Sequence, residues 1–461
     1  MTAARHDAAI VGTGQAAKPL AAALAGAGWS VAVVERAAVG GSCINYGCTP
    51  TKAMVASARI AHLARHAAGW GVETGPVRVD LGRVVDRKAR IVTSFRRWVE
   101  TKLEQTPGIT LIRGHARFVA PRELEVTLTA GGTTRLTAPH VFLDTGTRSL
   151  VPPVDGLDRV PFLDNASVLE LRDLPRHLLV LGGGYVGVEL GQAFRRFGAE
   201  VAIVQRGPRL LSHEDEDVSA AVREILVEEG IEVLLGAEAR EVAGSAGDLR
   251  LRVATPDGER ELAGSHLLVA VGRVPNSDDL GLEAAGVAVD ERGFVRVDEQ
   301  LATTAPGVWA LGDVNGGPAF THVAYDDFRI VRSNLLGAGG ATTRGRLVPA
   351  TVFTDPQLGR VGMSESEARQ SGRNVRVAKL PMTRVARALE VGETRGFMKA
   401  VVDADSEEIL GCAILGLEGG EVMAVLQTAM LGGLRYTEIR DAIFAHPTLA
   451  ESLNNLFLTL D

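Results

Sequence analysis

Two stretches of the chain repeat one pattern of apolar and polar positions. Residues 7–36, DAAIVGTGQAAKPLAAALAGAGWSVAVVER, pass from a short apolar run through a glycine turn into an alanine- and leucine-rich helical segment, then into a second apolar run. Residues 177–206, HLLVLGGGYVGVELGQAFRRFGAEVAIVQR, do the same. Each reads as strand, turn, helix, strand, a βαβ unit. Its second strand ends 23 residues after its first glycine in both copies, at Glu35 and at Gln205. Equal spacing marks an internal repeat of one supersecondary unit.

The remaining pattern organises the chain around these copies. Residues 51–68 predict a helix, and residues 101–119 lead into strands. VFLDTGTRSLVPPVDGL predicts a strand followed by a Pro/Gly-rich linker, which puts a boundary near Leu150. LLVAVGRVPN and GVWALGDVNGG predict two short apolar strands that each run into glycine. Ser364 and Glu367 form a capping box ahead of a helix. From about residue 346 no glycine fingerprint recurs, and the pattern predicts a separate α+β domain. The expected fold class is α/β, with two Rossmann-like dinucleotide-binding domains and a C-terminal α+β domain. The expected domains are 1–150, 151–275, 276–345 (returning to the first) and 346–461.

Composition narrows the class. A chain of 461 residues suits about three domains at roughly 150 residues each. The net charge of −7 and the lack of a basic run argue against nucleic acid as a partner. The N-terminus has no basic and apolar leader, and no apolar run reaches the ~18 residues that cross a bilayer. A cytoplasmic protein without a membrane partner is expected. Three cysteines are too few for a disulfide framework, so the close pair at Cys43 and Cys48 predicts a reactive dithiol. No metal-ligating set is expected.

Gly12, Gly14 and Ala17 form the first fingerprint. Small residues here permit the tight turn, the approach of a pyrophosphate to a helix N-terminus, and close helix packing, while Glu35 can accept from a ribose hydroxyl. Gly182, Gly184 and Gly187 form a second, complete one. Its strand tip carries Gln205 and Arg206 in place of the acid. An acid repels the 2′-phosphate of NADP and a guanidinium pairs with it, so NADPH is expected, with NADH as the alternative. An ordinary surface turn, RGPR, is the bland reading of the same residues.

The cysteines sit in GGSCINYGCTPTK, read as one short loop. Thr49, Pro50 and Thr51 predict a helix start, which places Cys48 at a helix N-terminus where the dipole favours thiolate. A buried structural pair or half of a metal site are the competing readings.

With these residues in view, the chain resembles the pyridine nucleotide-disulfide oxidoreductases, which include glutathione reductase, lipoamide dehydrogenase and mercuric reductase. The resemblance runs through both fingerprints and the segments GGSCINYGCTPTK, LDTGTRS, VAVGRVPN, ALGDV and HPTLAE, in the family's order. It implies FAD at the first fingerprint, held by Gly12, Gly14, Ala17, Glu35, Gly41, Ser42, Lys52, Thr145 and Gly146, with Asp313 on the ribityl chain. The second fingerprint, with Tyr185, Gln205, Arg206 and Gly272, then takes the nicotinamide nucleotide. Residues 1–150 and 276–345 become the FAD-binding domain, 151–275 the NAD(P)-binding domain and 346–461 the interface of a homodimer with shared active sites.

The resemblance also implies roles. Cys43 is the thiol that meets substrate and Cys48 the one beside the flavin. Lys52 lies near the flavin and pairs with Glu189. Tyr185 covers the flavin until nicotinamide displaces it. His446 is the acid-base residue and Glu451 orients it. Local sequence offers plainer readings: Lys52 and Glu189 as solvated helix charges, Tyr185 as packing, and Thr448 with Glu451 as a capping box. Cys412, in an apolar run, reads as core.

The expected activity is an FAD-dependent NAD(P)H:disulfide oxidoreductase acting on a small or protein disulfide. The alternatives are dihydrolipoamide dehydrogenase, a mercuric-reductase-like metal reductase and a low-turnover flavin redox sensor. The chain ends without the C-terminal cysteine pair of mercuric reductases, and Gln205 stands where lipoamide dehydrogenases carry an acid. Tyr46, Arg384 and Arg387 have no role assigned by sequence.

Overall fold

The computed structural model describes residues 3–460; residues 1, 2 and 461, at the ends of the expected outer domains, lie outside the described residues. The chain divides into two units, one of Met1–Ala53, Arg83–Leu150 and Gly272–Arg346, the other of Met54–Gly82, Val151–Val271 and Leu347–Asp461.

The first unit is built on strands Ala8–Val11 and Val31–Glu35, in which every residue is buried. Strands buried at every position need cover on both faces, which is the condition of a parallel sheet. The sheet is parallel from Ile109–Ala120 through Val31–Glu35, Ala8–Val11 and His140–Leu143 to Val308–Ala310. The long strand Ile109–Ala120 runs on into an antiparallel meander with Glu123–Leu128 and Thr133–Thr137. Helix Leu81–Gln105 was not expected; it is highly charged, but Leu81, Val85, Val92, Val99 and Leu103 are buried at helical spacing.

The second unit repeats the plan. Four parallel strands follow the order Glu232–Leu235, Glu200–Gln205, His177–Leu181, His266–Val269, with a meander of Glu238–Ser245, Asp248–Thr255 and Gly258–Gly264. The repeat extends to backbone detail. Gly12 has φ +98° and Gly182 φ +105°, and a Cβ on either would come within 2.2 Å of the Asp144 carbonyl or 2.3 Å of the Ala270 carbonyl. Only glycine lets both strands turn so close to a neighbour.

The same unit holds a five-stranded antiparallel sheet in the order Ala350–Val352, Gln357–Gly362, Ile409–Gly416, Phe397–Asp403, Val375–Pro381. Val361, Met398, Ala400, Ile414, Leu426, Leu453 and Phe457 form its core. Cys412 is buried in that sheet and burial pushes its thiol up to about 12, as suits a packing residue. The Ser364–Glu367 capping box is present. Buried charges also brace this unit. Lys399, 3% exposed, meets Asp215, Asp217 and Glu365 at 2.8–3.0 Å. Arg196, 4% exposed, meets Glu229 at 2.7 Å and Asp355 at 2.5 Å.

Two expectations shift. The boundary set after residue 275 falls before Gly272, because Arg273–Pro275 pairs with Thr147–Ser149 inside the first unit. The cysteine segment is not one loop. Cys43 lies in helix Gly41–Asn45 and Cys48 opens helix Cys48–His66, so the helix starts before Thr49.

Candidate active site

The first fingerprint is tied together by side chains. The Thr13 hydroxyl donates to Glu35 at 2.5 Å and accepts the Gly40 amide at 3.0 Å, while the Ala37 amide donates to the other Glu35 oxygen at 2.8 Å. Glycine turn, strand tip and the entry to the Cys43 helix are thereby fixed to one another. Ala17 opens its helix two positions later than the matching helix of the second copy, which opens at Tyr185. The Ala17 amide donates to Asp144 at 2.8 Å. A Cβ on Gly14 would fall 2.5 Å from the Asp144 carboxylate. Asp144 is fully buried, and burial, reinforced by Asp313 and Asp327 against the pull of the Ala17 amide and Lys18, pushes its carboxyl up to about 8.

Around this turn stand the other expected FAD residues of the unit. A Cβ on Gly41 would lie 2.8 Å from Gly14 Cα, and exposed Ser42 follows it in the Cys43 helix. Thr145 exchanges two 2.8 Å hydrogen bonds with Asn276. Gly146 has open space where a side chain would stand, at φ +65°. Asp313 accepts from Thr147 at 3.0 Å, and Arg273 holds the same Thr147 hydroxyl at 2.6 Å. A strand-tip acid, a helix N-terminus without an acidic first turn, and a close-packed glycine turn fit the adenosine and pyrophosphate of a dinucleotide.

The two cysteines differ in environment. Cys48 is exposed and lies 3.4 Å from the Thr321 hydroxyl; Cys43 is half-buried. The Cys43 thiol hydrogen-bonds Cys48, and that bond with burial and the Cys48 charge pushes it well up, against the opposing effects of Thr321 and Lys18. The two thiols therefore share one proton equilibrium and do not titrate independently.

In the second fingerprint Gly187 packs by necessity, since a Cβ there would lie 2.0 Å from the Gly182 carbonyl, whereas Gly184 faces open space. Gln205 turns back into the turn, its Oε1 accepting the Gly183 amide at 2.9 Å, and its NH₂ group lies beside Gly207. Arg206 is exposed. The Tyr185 hydroxyl donates to buried Glu214 at 3.4 Å, and burial with that carboxylate pushes the phenol up. Gly272, expected at the nicotinamide, belongs to the first unit and its carbonyl accepts the Leu150 amide at 3.0 Å.

Glu189 is 4% exposed and accepts the Phe353 amide at 2.8 Å, so it is not a solvated helix charge. Lys52 is half-buried in the helix that Cys48 opens and belongs to the first unit, Glu189 to the second. His446 Nδ1 stands 2.9 Å from both Glu451 oxygens. Thr448 accepts the Glu451 amide at 3.2 Å, one half of a capping box, while the Glu451 carboxylate goes to the imidazole. Cys43 with Cys48, and His446 with Glu451, are thus two assembled pairs in different units. Tyr46 is 39% exposed, Arg384 is exposed, and Arg387 pairs with Glu390 at 3.1 Å.

Asp144, Lys18, Thr321 and Glu214 were not foreseen. For Asp144 the signal was present: an acid closing the apolar run VFL. Among the described residues no three His, Cys, Asp or Glu gather to hold a metal, and no helix is long and apolar enough to cross a membrane.

Comparison with known proteins agrees with this geometry. Residues 6–327 match the family described as pyridine nucleotide-disulphide oxidoreductase, and residues 348–457 match its dimerisation domain. The chain is 38% identical over 457 residues to the probable pyridine nucleotide-disulfide oxidoreductase RclA of Escherichia coli, covering 98% of this chain and 99% of that one. It is 35% identical to a mercuric reductase of Bacillus cereus, over 99% of this chain and 72% of that protein. It is 36% identical to a dihydrolipoyl dehydrogenase of Thermus scotoductus, over 97% of this chain and 96% of that one. A solved Cu(II) complex of the HOCl-induced flavoprotein disulfide reductase RclA from Escherichia coli superposes with TM-score 0.91 at 37% identity, covering 100% of both chains. The chain therefore belongs to the pyridine nucleotide-disulphide oxidoreductase family, as a flavoprotein oxidoreductase that acts on sulfur groups.

Proposed function

We propose that the protein is an NADPH-driven reductase that passes electrons through FAD and the Cys43–Cys48 disulfide to a disulfide or other thiol-reactive acceptor. The observation that carries this reading is the Cys43–Cys48 pair itself, two thiols in hydrogen-bonding contact, Cys43 half-buried in helix Gly41–Asn45 and Cys48 opening the next helix. Bound FAD supplies the exchange of a nicotinamide hydride for an electron pair at sulfur. Gly12, Gly14, Glu35, Thr145, Gly146 and Asp313 would hold that cofactor, with Lys52 as a further contact. Cys48 keeps the charge after reduction. Cys43 gives its proton to Nε2 of the partner subunit's His446, whose Nδ1 is fixed by Glu451, and attacks the acceptor, whose S–S bond breaks, and the departing thiolate takes that proton.

The exposed guanidinium of Arg206, with Gln205 in place of an acid, makes the second strand tip free of carboxylate and able to donate, which favours a 2′-phosphate. That supports NADPH over the NADH of a dihydrolipoamide dehydrogenase. The RclA complex with Cu(II) and the mercuric reductase relatives support metal ions as a second acceptor class. Here such an ion meets Cys43 and Cys48, in the absence of any larger ligand group among the described residues. We also place the protein in the cytoplasm as a homodimer formed through residues 348–457.

The test follows NADPH oxidation by the flavin-loaded enzyme with low-molecular-weight disulfides, a protein disulfide, dihydrolipoamide with NAD⁺, Cu(II) and Hg(II). Turnover with a disulfide, lost in Cys43→Ser, is expected. Turnover with dihydrolipoamide and NAD⁺ alone overturns the direction assigned, and flavin reduction without any acceptor turnover favours a redox sensor.

A further inference from the structure

Asp144 follows strand His140–Leu143 and meets the first fingerprint at three places. A Cβ on Gly12 would lie 2.2 Å from its carbonyl, and one on Gly14 would lie 2.5 Å from both of its carboxylate oxygens. Its Oδ2 accepts the amide of Ala17, the residue that opens the fingerprint helix, at 2.8 Å. Backbone and side chain of one residue thus mould the turn that faces a dinucleotide's diphosphate. On the other side, a Cβ on Gly312 would lie 3.0 Å from Asp144 Oδ1, and the Gly312 amide donates to Asp327 at 2.8 Å. Two acids therefore flank Gly312, and Asp313 follows it in the chain. Asp327 has Arg346 as its cation at 2.5 Å. Asp144, 7% exposed, has one hydrogen-bond donor, the Ala17 amide, and no cation within ion-pair distance among the described residues. A buried carboxylate so placed is costly when charged. An anion on the first amide of helix Ala17–Gly26 also occupies the positive helix end that a diphosphate would use.

We propose that Asp144 is a positioning residue for the cofactor and makes its retention pH-sensitive: as a neutral acid it seats the fingerprint turn for the diphosphate, and as a carboxylate it loosens the hold. The proposal rests on the reading of the first fingerprint as the FAD site. The charged groups that face Asp144 are Asp313 and Asp327, which oppose its ionisation, and Lys18, which favours it. With burial as the largest cause, its carboxyl titrates at about 8. The sign follows from that value. Bound diphosphate favours the protonated acid and raises its pKa further, so affinity is highest below pH 8 and declines as pH rises through it.

The test uses the flavin-loaded full-length protein with Cys43 and Cys48 joined as a disulfide, so that neither thiol titrates. Serial dilution at pH 7, 8 and 9, then ultrafiltration and fluorescence of the free FAD, gives the dissociation constant at each pH. The diphosphate of FAD keeps its charge over this range. In unmodified protein the constant should rise roughly threefold to tenfold from pH 7 to pH 9, the upper figure being about the most that one such proton allows. Asp144→Asn retains an acceptor for the Ala17 amide and cannot ionise, so its constant should match the unmodified protein at pH 7 and stay flat to pH 9. Asp144→Ala serves where Asp144→Asn does not fold; it should bind FAD more weakly at every pH, again without a trend. A constant that does not rise with pH in unmodified protein overturns the proposal with or without the variants. A rise that persists in either Asp144 variant also overturns it and gives the proton to Lys18. The site itself is tested apart by Gly14→Ala, whose Cβ falls on the Asp144 carboxylate. FAD held as tightly by that protein overturns the reading of the first fingerprint, whatever the pH profile.

Discussion

Glu451 brings both carboxylate oxygens to 2.9 Å from Nδ1 of His446, so the imidazole carries its Nδ1 proton toward the acid and presents Nε2 outward. A side chain that is 69% exposed would otherwise sample several rotamers, and the carboxylate holds one of them. His446→Ala is expected to lower kcat by about 10²–10⁴ with a disulfide acceptor, the usual worth of a placed acid-base group. Glu451→Gln should give a smaller loss and leave flavin reduction by NADPH untouched. Single-turnover flavin reduction alongside steady-state assays separates the two steps. Equal loss in both steps would place His446 outside the sulfur chemistry.

The asymmetry of the cysteines has a spectroscopic consequence. Hydrogen bonding to Cys48 and burial push the Cys43 thiol up, and Cys48 opens a helix whose dipole favours thiolate, so Cys48 is expected to carry the charge. Two-electron-reduced protein should show a long-wavelength thiolate-to-flavin absorption band. The band should survive Cys43→Ser and vanish in Cys48→Ser. The opposite pattern exchanges the roles.

Nucleotide choice turns on two side chains at one strand tip. With Gln205 Oε1 committed to the Gly183 amide and Arg206 exposed, kcat/KM should favour NADPH over NADH by roughly 10- to 150-fold, the worth of one charge-assisted hydrogen bond. Gln205→Glu should abolish the preference by setting a carboxylate against the 2′-phosphate. Arg206→Ala should lower kcat/KM for NADPH and spare NADH. Equal use of both nucleotides by the unmodified protein defeats this account.

His62 offers a stability test. Burial first, then the positive charges of Arg196, His66 and Arg395 against Glu229, lower its imidazole to about 4 from an unfolded value of 6.5. The unfolded chain therefore binds the proton more readily, and stability falls as pH drops from above 6.5 toward about 4. His62→Gln should flatten part of that slope. Melting temperatures of both proteins at pH 7.5 and pH 5 check it: a variant with an unchanged difference between the two shows that His62 does not titrate as inferred.

What the chain discloses in advance is what local pattern controls. The glycine turns, the tips at Glu35 and Gln205 and the capping box at Ser364 are each decided by residues within a few positions, and each stands where its pattern predicts. The helix Leu81–Gln105 escaped because its charges hide a buried stripe. The unit boundary escaped because helix Cys48–His66 runs unbroken across it, at Ala53 and Met54. Asp144 and Lys399 escaped for another reason. A buried charge is defined by partners far away in sequence, 127 residues for the Ala17 amide and 184 for Asp215, and no spacing rule reaches so far.

The last expectation concerns where the two assembled pairs meet. Cys43 with Cys48 belongs to one unit, and His446 with Glu451 to the other, within the segment that matches the dimerisation domain at residues 348–457. We expect the active site to be completed across a two-fold axis, with His446 of the partner subunit serving Cys43. Isologous symmetry then gives two such sites per dimer. Around this segment Ile443, Leu431, Leu434 and Leu458 are exposed, Ile443 at 101%, which is the apolar surface an interface requires. Dilution to monomer should remove acceptor turnover while flavin stays bound. The sharper measurement mixes two inactive proteins, Cys43→Ser and His446→Ala, and allows subunits to exchange. Each hybrid dimer then holds one site in which the Cys43 of one chain meets the His446 of the other, so activity should return toward about a quarter of the unmodified level, since half the dimers are hybrid and each carries one intact site of two. Exchange verified by native mass without any return of activity shows that His446 acts within its own chain.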